Sequence, residues 1–216
     1  MFNFSNYYGF HHVNPYEGFD HESFPYLKLK GWGSDHEVFE KLILEKKPKL
    51  IFEVGTWLGA SAIHMAKIIK ENNLDCKIIC IDTWLGALEM LDNFNDTETY
   101  QSLDKYYGFP SVYYQFLANV CKMNCQDIIL PFATTSVIAA RFFARRNIKA
   151  DLIYIDGSHD YIDVKMDLLH YAHVVSENGM IFGDDYCWEG VKQAVDEHVS
   201  DNNTRLELLD SKWIIR

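Results

Sequence analysis

Aspartates stand at the ends of two apolar segments in the second half of the chain. Asp156 follows the run 151–155, and the pair Asp184 and Asp185 follows the run 179–183. Such runs are typical of parallel strands, whose carboxyl ends meet at one edge of a sheet, so we expect the three carboxylates to converge. A divalent cation would relieve their repulsion, and magnesium fits best because it needs few protein ligands and accepts substrate oxygens. Calcium or manganese, or carboxylates that simply cap helices and start loops in solvent, are the alternatives.

A histidine lies three residues after the first of these aspartates. His159 falls in the loop that follows the strand, on the expected ligand side of the sheet. Histidine titrates near neutral pH, so this side chain is a candidate base that removes a proton from an acceptor hydroxyl or amine. Asp156 is the second candidate for that role, and a histidine that only orients its loop is the alternative.

Two glycines four residues apart join an apolar strand to a helix earlier in the chain. Gly55 and Gly59 follow the run 49–54, with Glu53 just ahead of them. Glycine permits backbone angles and close approaches that suit ligand binding at the carboxyl end of a strand. A dinucleotide fingerprint needs another glycine where this chain has Trp57, which disfavours a pyrophosphate cofactor. The segment therefore favours S-adenosylmethionine, and the alternative is a glycine turn of any doubly wound protein.

A further carboxylate ends the next predicted strand. Asp82 lies 27 positions after Gly55, where a parallel sheet places an acid that accepts hydrogen bonds from ribose hydroxyls. The alternative role for Asp82 is the N-cap of the segment that follows it.

Apolar and amphipathic segments alternate along the chain and would position these residues. Ser34 and Glu37 have capping-box spacing and predict a helix from there to about residue 45. The remaining pattern predicts strands at 49–54, 77–82, 127–131, 151–156, 179–183, 205–209 and 212–216, and helices at 60–71, 136–146, 160–175 and 189–199. This order predicts an α/β fold: a Rossmann-like, doubly wound, mostly parallel seven-stranded sheet with helices on both faces and an antiparallel C-terminal edge hairpin.

Two regions fall outside that alternation. Residues 1–33 form an aromatic N-terminal arm, which we expect to pack on the domain, over the active site, or against a neighbouring subunit in a homo-oligomer. Residues 34–216 form a single domain, and its stretch 84–124 is long and aromatic enough to be an inserted lid or acceptor wall. Helices packed beside the sheet are the alternative for this stretch.

Composition limits the classes of function. The net charge of -11 argues against a nucleic-acid binder, which needs clustered lysine and arginine. No apolar run reaches the length of a membrane span. Five cysteines without metal-finger spacing or a signal sequence predict reduced thiols in a cytoplasmic protein.

Taken together, these motifs resemble the class I S-adenosylmethionine-dependent methyltransferases, and most of all the small branch related to macrocin-type and catechol-type O-methyltransferases. The resemblance covers about residues 35–200 and rests on the glycine segment and on the sequences at 155–159 and 183–186. It implies O-methylation of a small molecule such as a sugar or natural-product intermediate, assisted by a divalent metal. Metal-independent N- or O-methylation is the alternative, ahead of an NAD-dependent oxidoreductase or a non-catalytic nucleotide-binding module.

The resemblance also assigns residues to parts of the site. It implies a cofactor site made of Glu53, Gly55, Thr56, Gly59, Ser61, Asp82, Thr83, Thr135, Ser136 and Asp156. Magnesium would be held by Asp156, Asp184 and Asp185. The catechol enzymes have a lysine base at the position of His159, so this chain would use a different base.

Overall fold

The computed structural model describes residues 11, 13–24, 29, 31–92, 103 and 105–216. Parts of the predicted arm (1–33) and of the predicted insertion (84–124) therefore lie outside the described residues. No helix in the described ranges combines the length and the apolarity needed to cross a membrane.

Seven of the nine strands in the described chain match the predicted alternation, and the two short strands at 105–106 and 109–110 were not predicted. The nine strands of the described chain are β1 (Leu50–Val54), β2 (Lys77–Asp82), β3 (Lys105–Tyr106), β4 (Phe109–Pro110), β5 (Ile129–Ala133), β6 (Ala150–Ile155), β7 (Val175–Gly183), β8 (Leu206–Leu209) and β9 (Lys212–Ile215). Seven of them form one sheet in the order β5-β2-β1-β6-β7-β9-β8, while β3 and β4 pair separately. The first five in that order are parallel, and β9 and β8 close the edge in antiparallel fashion. The predicted fold class is confirmed.

Helices cover both faces of this sheet. They are α1 (Glu37–Lys46), α2 (Ala60–Glu71), α3 (Leu88–Asp92), α4 (Val112–Lys122), α5 (Ser136–Arg146), α6 (Tyr161–Tyr171) and α7 (Glu189–Asn202), with a short 3-10 helix at His21–Ser23. Apolar side chains of α1, α2 and α4 pack on one face, and those of α5, α6 and α7 on the other. Because both faces are covered, the inner parts of the central strands, such as 78–81 in β2 and 180–182 in β7, are apolar on both faces rather than alternating.

Some predicted element ends were wrong. The N-cap of α1 is His36, whose side chain accepts the Val38 backbone N–H, and not Ser34. Strand β7 begins at Val175, within the segment predicted as the end of a helix, and α6 stops at Tyr171. The chain turns between α6 and β7 without a glycine or proline, so the local sequence lacked a stop signal.

The described part of the aromatic arm lies against the domain. Tyr16 is buried, and its hydroxyl donates to the carbonyl of Ile129 in β5 at 3.0 Å. Phe19 and Phe24 stack on Tyr114 of α4, with ring centroids 6.4 and 6.2 Å away. The described arm therefore packs on the same side of the sheet as the predicted insertion.

Candidate functional site

The carboxyl ends of the central strands meet where the strand order reverses. The chain runs from β1 outward through β2 to β5 and then returns to β6 on the other side of β1. At this switch point Gly55 (φ +82°) lies so close to the end of β6 that an added Cβ would come 2.2 Å from the carbonyl oxygen of Asp156. Only glycine fits there, and the crevice of a doubly wound sheet opens at such a point.

Asp82 organises the loop between β1 and α2. Its carboxylate accepts the backbone N–H groups of Thr56 at 3.0 Å and of Trp57 and Trp84 at 2.8 Å each. Trp57 and Trp84 both have positive φ, which non-glycine residues adopt only when the surroundings impose it. Burial raises the pKa of Asp82, and these N–H donors oppose that rise. The half-buried carboxylate thus fixes the glycine loop at the place predicted for the ribose.

Glu53 lies beneath the same loop and is fully buried. Its carboxylate accepts the hydroxyl of Thr56, the hydroxyl of Ser61 at 2.5 Å and the thiol of Cys80 at 3.3 Å. Burial raises the pKa of Glu53, and the three donors oppose it. The structure therefore shows Glu53, Thr56 and Ser61 bound to one another under the loop, in a position to set the loop's shape.

Three more of the predicted cofactor residues lie at strand ends, Thr135 and Ser136 after β5 and Thr83 after β2. Thr135 caps α5 by accepting the Ile138 N–H, and the hydroxyl of Ser136 donates to Asp167 of α6. Thr83 accepts the Leu85 N–H at 3.2 Å. These three side chains have local hydrogen-bonding roles, and their contact with the cofactor stays a prediction.

The three predicted metal carboxylates converge. One oxygen from each of Asp156, Asp184 and Asp185 lies within 4.8 Å of the other two, at the carboxyl ends of β6 and β7. His159 joins them, with its Nε2 2.9 Å from the Asp185 carboxylate and its ring stacked on Trp188 at 4.6 Å between centroids. Burial raises the pKa of Asp156 to about 7, while Lys212 opposes this and Asp184 adds to it. The site thus gathers acidic groups and a histidine beside the glycine loop.

Two residues of this cluster were missed by the sequence analysis. Lys212, at the start of β9, has an ammonium group that contacts the Asp184 carboxylate and donates to the Tyr154 hydroxyl at 2.9 Å. Tyr154 in turn donates to Asp156 at 2.8 Å. A lysine beginning the apolar strand Lys212–Ile215 was the available signal, but its partners come from strands about 28 and 58 residues earlier.

The terminal hairpin reaches the cluster because β9 packs closely on β7. A Cβ on Gly183 would come 2.2 Å from the Trp213 ring, so the indole fits only against glycine. The Trp213 Nε1 then donates to the carbonyl of Asp184 at 2.8 Å, and the Ser211 hydroxyl donates to its carboxylate at 2.6 Å.

The donor set fits a divalent cation. Each of the three aspartates contributes a hard carboxylate oxygen, as magnesium and calcium prefer. Within the described residues, no hydrogen bond reaches Oδ1 of Asp156 or of Asp185. The Asp184 carboxylate accepts more hydrogen bonds than the other two, from the Ser211 hydroxyl, the Asp185 backbone N–H and the Lys212 ammonium.

Comparison with known proteins agrees with this geometry. Residues 52–186 match the family model for a methyltransferase domain, and no curated protein sequence matches the chain. Among solved structures, the O-methyltransferase NovP has a TM-score of 0.60 at 17% identity, over 85% of this chain and 79% of that one. CalS11, a TDP-rhamnose 3'-O-methyltransferase, has a TM-score of 0.57 at 17% identity, over 83% and 76%. An O-methyltransferase from Bacillus cereus in complex with SAH has a TM-score of 0.55 at 13% identity, over 90% and 84%.

The family match spans the glycine loop, Asp82, the acidic cluster and His159. The solved structures share the fold that places these groups at one edge of the sheet. The chain belongs to the class I S-adenosylmethionine-dependent methyltransferases.

Proposed function

We propose that this protein transfers the methyl group of S-adenosylmethionine to a hydroxyl of a small molecule. The observation that carries the proposal is the placement of Asp156, Asp184, Asp185 and His159 at the sheet edge next to the Gly55–Gly59 loop. Methyl transfer needs little covalent catalysis, because aligning the donor sulfur, methyl carbon and acceptor oxygen provides most of the effect. A polar, partly buried cluster beside the Gly55–Gly59 loop is a suitable binding place for the hydroxyl that accepts the methyl group.

On the cofactor side, the loop residues have distinct proposed roles. Gly55 and Gly59 let the backbone approach the methionine part, while Glu53 holds Thr56 and Ser61 beneath it. Asp82 would receive the ribose hydroxyls in addition to the N–H groups it already accepts. Thr135 and Ser136 would border the adenine, and Thr83 would also contact the cofactor.

On the acceptor side, Asp156, Asp184 and Asp185 would hold a divalent cation, with magnesium as the first choice. Such an ion lowers the pKa of a bound hydroxyl and orients it. His159 would take the acceptor proton while Asp185 fixes its ring through the 2.9 Å contact, and Asp156 is the second candidate for the proton.

A sugar or natural-product hydroxyl is the proposed acceptor. Support comes from the likeness to CalS11, which is a TDP-rhamnose 3'-O-methyltransferase. The net charge of -11 argues against a nucleic acid in its place. The five cysteines, all free thiols in the structure, support a cytoplasmic location. Formation of a homo-oligomer through the aromatic N-terminal arm also stays a proposal.

Metal-independent N- or O-methylation is the second candidate, and one observation favours it. The Lys212 ammonium already gives the acidic cluster a positive charge without any ion. In that case the aspartates would bind the substrate directly.

Assays with labelled S-adenosylmethionine and a panel of nucleotide sugars and hydroxylated natural products test the proposal. We expect label transfer to at least one hydroxyl acceptor, loss of transfer after exhaustive chelation and recovery with magnesium. Full transfer after chelation would favour the metal-independent reaction. Calorimetry should show binding of S-adenosylhomocysteine and not of NAD, and the reverse would refute the cofactor assignment.

His159→Ala tests the base. We expect about a hundredfold lower turnover, because a positioned proton acceptor usually contributes a rate factor of this size. The affinity for S-adenosylhomocysteine should be unchanged. Near-normal turnover would show that His159 only shapes its loop, and Asp156 would then be the candidate that accepts the proton.

A further inference from the structure

We infer that Lys212 is a fixed counter-ion that sets the net charge of the acidic cluster and thereby the strength with which the cluster binds a divalent cation. The inference rests on the metal-binding part of the proposed function. It makes Lys212 a positioning residue that acts through Asp184 and Tyr154.

The environment of Lys212 holds its ammonium inside the protein. The side chain is 0% exposed and contacts Asp184, whose side chain is 5% exposed. The ammonium also lies 5.2 Å from the centroid of the Phe39 ring and 5.1 Å from that of Tyr154. A buried lysine is costly unless it is paired and hydrogen-bonded, and Asp184 and Tyr154 supply those partners here.

The segment before α1 closes this pocket. A Cβ at Gly33 would lie 3.4 Å from the Lys212 Nζ and 3.5 Å from an Asp184 carboxylate oxygen. The ion pair is therefore enclosed by chain from α1, β6, β7 and β9, and solvent screens it little.

Lys212 also orients two of the three carboxylates. It contacts Asp184 directly, and it donates to the Tyr154 hydroxyl, which donates to Asp156. Both carboxylates are thus held near their positions before any ion enters. Counted as formal charges, with all three aspartates ionised, three carboxylates and one ammonium sum to −2, the charge that one divalent cation balances.

Four proteins form a charge series around this pair. The wild type has a cluster charge of about −2, Lys212→Met about −3, Asp184→Asn about −1, and the double variant Asp184→Asn/Lys212→Met about −2 again. Methionine and asparagine keep approximately the original volumes. Lys41→Met is the matched control, because Lys41 forms an exposed ion pair with Glu207 of the same terminal hairpin.

Manganese binding by the purified proteins, measured at pH 8 by electron paramagnetic resonance, tests the inference. We expect Lys212→Met to bind Mn²⁺ at least tenfold more tightly than the wild type and Asp184→Asn at least tenfold more weakly. The decisive comparison is between Asp184→Asn and the double variant, which should recover at least tenfold in affinity. A lysine with only a structural role would make the double variant the weaker of the two, and that order would overturn the inference. Lys41→Met should match the wild type within about twofold.

Thermal unfolding of the same proteins covers the case in which Lys212→Met folds poorly. Leaving a buried charge unpaired should lower its Tm by about 10 °C, and the double variant should recover at least half of that loss. A double variant less stable than both single variants would contradict the pairing.

The outcomes separate this inference from the proposed function. If the wild type binds Mn²⁺ but the affinities of the variants do not follow the order of their cluster charges, the inference is overturned and the proposed function is not. Binding by Lys212→Met and not by wild type would refute the metal part of the proposed function and support the counter-ion. No binding by any of the four proteins would overturn both.

Discussion

Asp82→Ala is the most informative single substitution on the cofactor side. The Asp82 carboxylate joins the end of β2 to the glycine loop by accepting the N–H groups of Thr56, Trp57 and Trp84 at 2.8 to 3.0 Å. Alanine removes both carboxylate oxygens and so leaves all three N–H donors without their acceptor at once. The backbone at Trp57 and Trp84 has positive φ, so the loop should relax once these bonds are lost.

The size of the effect follows from those contacts. A hydrogen bond to a charged acceptor contributes about 1.5 to 3 kcal/mol. Because Asp82 is half-buried, water replaces part of what is lost, and we expect about 2 to 4 kcal/mol of net destabilisation of the loop. If the ribose also binds this carboxylate, affinity for S-adenosylhomocysteine should fall at least tenfold and by up to about a thousandfold.

Calorimetric titration with S-adenosylhomocysteine, together with thermal unfolding, measures both parts. Asp82→Asn is the matched control, because its amide oxygen retains an acceptor of similar size without the charge, and we expect it to fall between wild type and alanine in both measurements. An alanine variant with wild-type affinity would refute the ribose assignment. A loss of affinity without loss of stability would show that the carboxylate binds the ligand but does not hold the loop.

Three further substitutions test the frame of the site. Gly55→Ala should lower the Tm by more than 10 °C or prevent folding, because the alanine Cβ would come 2.2 Å from the Asp156 carbonyl oxygen. A variant with the wild-type Tm would contradict this close approach. Glu53→Ala should cost about 2 to 4 kcal/mol in denaturant unfolding, since it opens a cavity and leaves buried hydroxyl donors without their acceptor; an unchanged midpoint would contradict this. Burial raises the pKa of Asp167 to about 6, above its unfolded value of about 3.9, so the folded state binds the proton more tightly and stability falls as pH rises through about 4 to 6. Asp167→Asn should remove this pH dependence of stability and raise the free energy of unfolding at pH 7 by about 1 to 3 kcal/mol relative to wild type. A variant that keeps the pH dependence would show that it comes from another group.

Local patterns were enough to predict the order of the seven sheet strands and of helices α1, α2, α5, α6 and α7, whereas α3, β3, β4 and α4 lie in the stretch 84–124, for which no element was predicted. Apolar runs such as 50–52 and 78–81 do not alternate because both faces of the sheet are covered, and the helices between the strands have apolar positions at three- and four-residue spacing. The first and last residues of the elements were harder to predict. His36 and not Ser34 caps α1, and β7 starts at Val175. Capping depends on which side chain reaches the free N–H groups, and that is settled by how the preceding segment packs.

The sequence by itself determined which chemical groups meet at the ligand edge. Glycines and acids placed directly after apolar runs must gather there, since parallel strands end on the same side of a sheet, and Gly55, Asp82, Asp156 and Asp184 do so. Only the tertiary structure decided what each acid contacts. Glu53 lies under the loop, Asp82 accepts backbone N–H groups, and Lys212 enters the acidic cluster from an antiparallel strand. The physical reason is that the charge and hydrogen-bond partners of a buried group come from segments distant in the chain, and spacing along the sequence does not encode which of them arrives.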